Sequence, residues 1–214
     1  MRKDRSSLRD ASSISTGDKM ELNKNVSNPM LVGVMQLIKA DGKTPDPKHQ
    51  EMFMEELDKA EFLAPAEVKA EVGPDGEKLV NGKAQFRFPI LTGADGRRFF
   101  VVFTDNATVE KAQAMEGVSA LPEEFVKETV TVKFADLARF ILTPNPDGSE
   151  NTTYGIVINP FMENIVIPKN LVAAVTMRKQ KEAKERLEKV ASVLAKNGDS
   201  KVIPFPGNKD ENQD

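Results

Sequence analysis

The feature that most constrains the fold is an unbroken apolar run, Phe99–Phe103. Successive side chains of a β-strand point to opposite faces, so a strand made from this run has no face suited to water. Strands that are apolar on both faces are usually central in a sheet and covered by helices. The run therefore predicts a fold that combines helices and strands around one buried strand.

Helix and strand patterns alternate on both sides of that run. Apolar spacing of i, i+3, i+4 and i+7, together with N-cap residues, predicts helices over 29–41, 47–60, 106–115, 134–141 and 168–195. Shorter apolar or alternating segments predict strands over 62–64, 84–91, 97–103, 126–132, 154–158 and 164–167. We therefore expect an α/β (α+β) fold, a single domain with a mixed sheet covered by short helices and a long C-terminal helix.

The two ends of the chain differ in composition from its middle. Residues 1–27 carry six serines, scattered charge and isolated apolar residues, which predicts a disordered lead-in. The domain is expected over 28–180, with an extended C-terminal helix over 181–196. Residues 197–214 mix Gly, Pro, Asn and acidic residues and are expected to form a disordered tail.

Composition excludes several kinds of chemistry. The 214 residues include no cysteine and a single histidine, His49, which rules out thiol catalysis and any metal site with two histidine ligands. We expect His49 to be a surface residue, and we predict no metal and no cofactor. Residues 28–177 hold 15 basic and 22 acidic side chains, a net charge of −7, which argues against a nucleic-acid partner.

Hydropathy and cysteine usage bear on location. The longest apolar runs have five residues, whereas a helix needs roughly 20 to cross a bilayer, so no membrane partner is expected. Together with the absence of cysteine, this favours a cytoplasmic protein.

Polar residues follow two of the predicted apolar strands. Thr104 and Asp105 come directly after Phe99–Phe103, and Asn159 comes directly after 154–158. Ligand sites of α/β proteins lie at such strand ends, so these three residues are candidates for a small-molecule-binding or hydrolytic site. The alternative interpretation is local: Asp105 caps a helix and Asn159 shapes a turn, each through bonds to the backbone.

The last predicted helix changes character along its length. Residues 178–186 are almost wholly polar, and Leu187, Val190 and Leu194 then restore an apolar stripe. We expect this stripe to contact a partner, or a second copy of the chain in a weak homo-oligomer. The alternative is that the helix folds back on its own domain.

Three sequence blocks, taken in order, resemble the N-terminal domain of the SseB (enhanced serine sensitivity) family: Phe99–Asp105, Phe134–Ala138 and Tyr154–Phe161. The resemblance extends from about Pro29 to Met177. It implies an SseB-type fold and a protein partner, with a rhodanese-type sulfurtransferase as the kind of enzyme linked to the family. No established catalytic residues come with it.

Composition and resemblance together favour a non-enzymatic protein-binding or adaptor module of the SseB N-terminal-domain type, located in the cytoplasm. The alternative function is the small-molecule-binding or hydrolytic domain with its site near Asp105 and Asn159.

Overall fold

The computed structural model describes residues 9–10, 22, 24–75, 78–79, 84–115, 128–145 and 148–196. The chain divides into two compact units, Met1–Thr176 and Met177–Asp214. The first unit ends at Thr176 and includes the predicted lead-in, so the domain bounds of 28 and 180 stay a prediction. The predicted tail over 197–214 lies outside the described residues.

The described residues form five helices and eleven strands. The helices are α1 Pro29–Asp41, α2 Pro47–Lys59, α3 Asn106–Gln113, α4 Phe134–Leu142 and α5 Lys169–Lys196. The strands are β1 Arg9–Asp10, β2 Glu61–Pro65, β3 Glu67–Lys69, β4 Glu71–Val72, β5 Lys78–Leu79, β6 Gln85–Phe88, β7 Ile90–Thr92, β8 Arg98–Val102, β9 Thr129–Lys133, β10 Gly155–Ile158 and β11 Ile165–Pro168.

The predicted apolar strand is the interior strand β8 of a four-stranded sheet ordered β11-β10-β8-β7. β8 runs parallel to β10 and antiparallel to β7, while β10 and β11 are antiparallel. Between the parallel strands β8 and β10 the chain passes through α3, β9 and α4, which supplies the long crossover that such a pair requires. The mixed α/β fold expected from the sequence is confirmed.

Both faces of β8 are apolar, and its residues Phe100, Val101 and Val102 are buried. Phe100 and Val102 belong to the larger hydrophobic cluster, which also takes in buried residues of α1, α2 and α4. Val101 and Phe103 belong to a second cluster with Val109 of α3. The alternation of side chains along one strand therefore distributes a single apolar run between two cores.

The predicted strand over 84–91 is wrong as a single element. Pro89 has no backbone N–H to donate, and the chain divides there into β6 and β7. β6 lies between β1 and β3 in a three-stranded sheet, whereas β7 pairs with β8. Because the alternating apolar pattern continues on both sides of Pro89, the sequence did not indicate that β6 and β7 belong to different sheets.

Strand β2 links a two-stranded sheet to the central one. It pairs with β9 over its whole length, from Glu61 opposite Lys133 to Pro65 opposite Thr129. At Leu63 it also forms a bridge to Phe103, with N–H to carbonyl distances of 2.9 and 2.8 Å in the two directions. The middle of β2 therefore meets the residue that follows β8, just before Thr104.

Parts of the predicted lead-in are described and pack against other residues of the first unit. Arg9 and Asp10 pair with β6, and Leu22 bridges to Val130. Val26 is buried, and its N–H donates to Asn106 Oδ1 at 3.0 Å. A lone apolar residue among polar ones creates no periodic pattern, so this packing left no signal in the sequence.

Helix α5 begins where β11 ends. Its first turns bury Val172 and Val175 in the larger cluster. From Met177 onward its described side chains are almost all exposed. Within the described part of the chain, no helix combines the length and the apolar character that crossing a bilayer requires.

Candidate functional site

The structure brings Thr104 and Asn159 together at the carboxyl ends of β8 and β10. Asn159 Oδ1 accepts from the Thr104 backbone N–H at 2.9 Å, and Asn159 Nδ2 donates to Thr104 Oγ1 at 2.9 Å. Both residues are at least 99% buried. The parallel register of the two strands places these residues side by side.

Asp105 completes this group, which we call the strand-end cluster (Thr104, Asp105 and Asn159). One Asp105 carboxylate oxygen accepts from Thr104 Oγ1 at 2.8 Å. The other accepts from the Thr108 N–H at 2.8 Å, and Asp105 is the N-cap of α3. The Thr108 hydroxyl returns a bond to the Asp105 carbonyl at 2.7 Å. Asp105 therefore satisfies an N–H that the helix itself leaves without a partner.

Asn159 also shapes the loop between β10 and β11. Its φ of 49° lies in the left-handed region, which asparagine tolerates better than most residues. Its N–H donates to the Val102 carbonyl at 2.9 Å, and its carbonyl accepts from the Asn164 N–H at 3.0 Å. Backbone and side chain of this one residue thus join the ends of β8, β10 and β11.

Asn28 bonds to the cluster through the Thr104 carbonyl, a role that sequence reasoning missed. Its side-chain Nδ2 donates to the carbonyls of Glu61 and Thr104 at 2.6 and 2.7 Å. The sequence predicted Asn28 as the N-cap of α1, and it occupies that position without a side-chain capping bond. A local sequence pattern can predict a helix cap, but it cannot predict bonds to residues 33 and 76 positions away.

The side-chain polar groups of the strand-end cluster are hydrogen-bonded within the protein. The amide of Asn159, the hydroxyl of Thr104 and both oxygens of Asp105 bond to other groups of the protein. Such an arrangement holds strand ends and a helix start in place. The geometry matches the capping and turn-shaping interpretation, and ligand binding by Thr104, Asp105 and Asn159 stays a prediction.

His49 lies away from these residues in sequence and pairs with Asp41. His49 Nδ1 is 2.8 Å from Asp41 Oδ2, which also accepts from the Asp46 N–H at 2.9 Å. The side-chain bond from His49 is the largest cause that holds the pKa of Asp41 below its ordinary value. The pair ties the end of α1 to the start of α2.

A shallow groove of about 430 Å³ lies where β10 begins and β11 ends, and sequence reasoning missed it. Tyr154 lines it and packs edge-on against Phe99, with ring centroids 5.5 Å apart. The Arg97 guanidinium lies 4.5 Å from the centre of the Tyr154 ring. Lys169 Nζ, also at the groove, donates to the Asn151 carbonyl at 3.1 Å.

The described residues contain no group of three or more His, Asp or Glu placed to hold a metal ion.

The predicted contact stripe lies in the second unit. Leu187 is 71% exposed and Val190 is 57% exposed. Leu194 belongs to the same helix, α5, and its side chain lies outside those that the structure describes. Two large apolar side chains on one helix face are thus open to water.

These observations define a mixed α/β domain whose polar strand ends are closed by their own hydrogen bonds. The model of the SseB protein N-terminal domain matches residues 35–174, about two thirds of the chain. The chain therefore belongs to the SseB family, and the resemblance seen in the sequence blocks is confirmed. No curated protein matches the chain, and no solved structure does.

Proposed function

We propose that this chain is a non-enzymatic, protein-binding adaptor of the SseB N-terminal-domain type that acts in the cytoplasm. The observation that carries the proposal is the exposure of Leu187 and Val190 on α5. Exposed apolar side chains gain free energy when another surface covers them, about 1.5–3 kcal/mol for each large residue before ordering costs. Such a stripe at helical spacing suits docking on another protein.

The closed strand-end cluster supports the non-enzymatic part of the proposal. A general base or a nucleophile must reach a substrate atom, and Thr104 and Asp105 direct their oxygens to partners inside the protein. The family resemblance makes a sulfurtransferase-type enzyme the first partner to test.

The experiment is co-purification of the full chain from its native cells, followed by reconstitution with the purified partner. The double variant Leu187→Ala with Val190→Ala should lose at least about 90% of the binding. The matched control is Met177→Ala, which removes a comparably exposed apolar side chain from the same helix outside the stripe.

Equal binding by the double variant and the control would show that the stripe is not the docking face. Failure of any protein to bind after reconstitution would contradict the adaptor function itself.

A further inference from the structure

The charges around the apolar stripe of α5 specify the chemistry of its partner. We define the distal stripe as Ala183, Leu187 and Val190, with Leu194 in the same helical register. On a helix, residues three and four positions apart are neighbours on the surface. The charged residues at those distances from the stripe therefore form its flanks.

Each charged neighbour of the stripe is basic. Lys179 lies four residues before Ala183, Lys184 three before Leu187, and Arg186 four before Val190. The three acidic residues of this helix segment, Glu182, Glu185 and Glu188, are not three or four positions from any member of the stripe.

Two of these acidic residues form ion pairs with basic residues of the same helix. Glu182 accepts from Arg178 at 3.0 Å, and Glu188 lies 4.0 Å from Lys184. Lys184 and Glu188 keep 79% and 67% of their side-chain surface exposed, so this pair does not cover the flank.

We infer that the distal stripe docks an acidic amphipathic helix of another protein, with the apolar residues in contact and Lys179, Lys184 and Arg186 facing carboxylates. This inference rests on the proposed adaptor function and specifies the partner's charge. Opposite charges beside an apolar seam favour the correct partner and penalise wrong ones.

A second copy of the chain fits this surface poorly. Pairing two distal stripes, in either direction, places basic flanks against basic flanks, and like charges at these positions oppose association. The weak homo-oligomer expected from the sequence is therefore the less favoured occupant.

An anionic membrane is also less suited. Helices that bind at a bilayer interface bury bulky residues such as Trp, Phe and Leu. Residues 177–196 contain no aromatic residue, and the described large members of the stripe are Leu187 and Val190 alone. A narrow row of anchors is typical of helix docking on protein.

The test uses the full chain and two synthetic three-heptad peptides with leucine at the a and d positions. One peptide carries Glu at e and g, and the other carries Lys there. In fluorescence anisotropy at low salt, the Glu peptide should bind at least about tenfold more tightly than the Lys peptide. The preference should fall toward zero near 1 M salt, where charges are screened within about 3 Å.

Two charge-reversal variants test whether Lys184 and Arg186 cause the preference for the Glu peptide. The double variant Lys184→Glu with Arg186→Glu should reverse the preference. The control, Arg178→Glu with Lys181→Glu, makes the same change in net charge on residues that do not neighbour the stripe. This control should keep the preference, and circular dichroism should show equal helix content in both variants.

Several results would overturn the inference: equal binding of the two peptides, binding of neither, or loss of the preference in the control. Sedimentation showing a dimer that Leu187→Ala with Val190→Ala abolishes would assign the stripe to a second copy. Tighter binding to phosphatidylglycerol vesicles than to the Glu peptide would assign it to a membrane. If the reconstituted native partner still binds through Leu187 and Val190, the adaptor function stands and only the acidic partner fails.

Discussion

The strand-end cluster and the distal stripe use their side chains in opposite ways. At the cluster, the polar groups of Thr104 and Asn159 are buried and bonded to each other. At the stripe, apolar groups of Leu187 and Val190 face water. Buried and mutually satisfied polar groups stabilise the fold, whereas exposed apolar groups leave free energy available for binding.

A large loss of stability is expected from a change at Gly155, in the sheet that supports the cluster. A Cβ built on Gly155 would collide with the Ile167 carbonyl oxygen and approach Pro168 Cα to 2.9 Å. Backbone atoms of β11 cannot move aside without breaking the β10–β11 ladder. We expect Gly155→Ala to lower the free energy of unfolding by about 3 kcal/mol, measured by urea denaturation.

Gly33 in α1 provides the matched control. A Cβ there meets no atom within 4 Å, so Gly33→Ala should raise the free energy of unfolding by about 0.5–1 kcal/mol. Equal effects at the two glycines would show that β10 and β11 do not approach as closely as described.

A smaller loss is expected when the cluster itself is opened. Asn159→Ala leaves the Thr104 N–H buried without its acceptor, which costs about 1–3 kcal/mol. Asn159→Gly removes the same side chain while easing the positive φ, so it separates the two roles of the residue. Both variants should be destabilised in thermal unfolding, and full stability of Asn159→Gly would reduce the role of Asn159 to its backbone conformation.

The distal stripe should behave differently from the core. The change Leu187→Ala with Val190→Ala should alter the free energy of unfolding by less than about 0.5 kcal/mol, because the removed groups are already in water. Leu57→Ala in the core, where the side chain is fully buried, should cost about 2–5 kcal/mol. A loss of several kcal/mol in the stripe variant would mean that folding already buries Leu187 and Val190, and the comparison would fail.

The sequence predicted the elements whose signals are local. The run Phe99–Phe103 located the central strand, and the residues after it located the strand-end cluster. The sequence could not show that Thr104 and Asn159, 55 positions apart, would bond to each other, because that depends on the register between β8 and β10. It also could not show that Asn28 reaches Glu61 and Thr104, or that Pro89 divides one pattern between two sheets.

The smallest effect concerns Asp41 and His49, which are neither as buried as Thr104 and Asn159 nor as exposed as Leu187 and Val190. The bond from His49 holds the pKa of Asp41 below its ordinary 3.8. A carboxyl with a lowered pKa in the folded state adds stability above that ordinary value, and this stability is lost as pH falls through the lowered value.

In His49→Ala, the pKa of Asp41 should rise toward 3.8 and remain somewhat below it, because the Asp46 N–H still donates. A carbon-detected NMR titration of the Asp41 carboxyl measures this, with Asp95 as an internal control, since the side-chain bond from Arg97 is the largest cause that lowers the pKa of that carboxyl and His49 is not among the causes. An unchanged Asp41 in the variant, or an equal rise at Asp95, would show that the His49 bond does not govern this carboxyl.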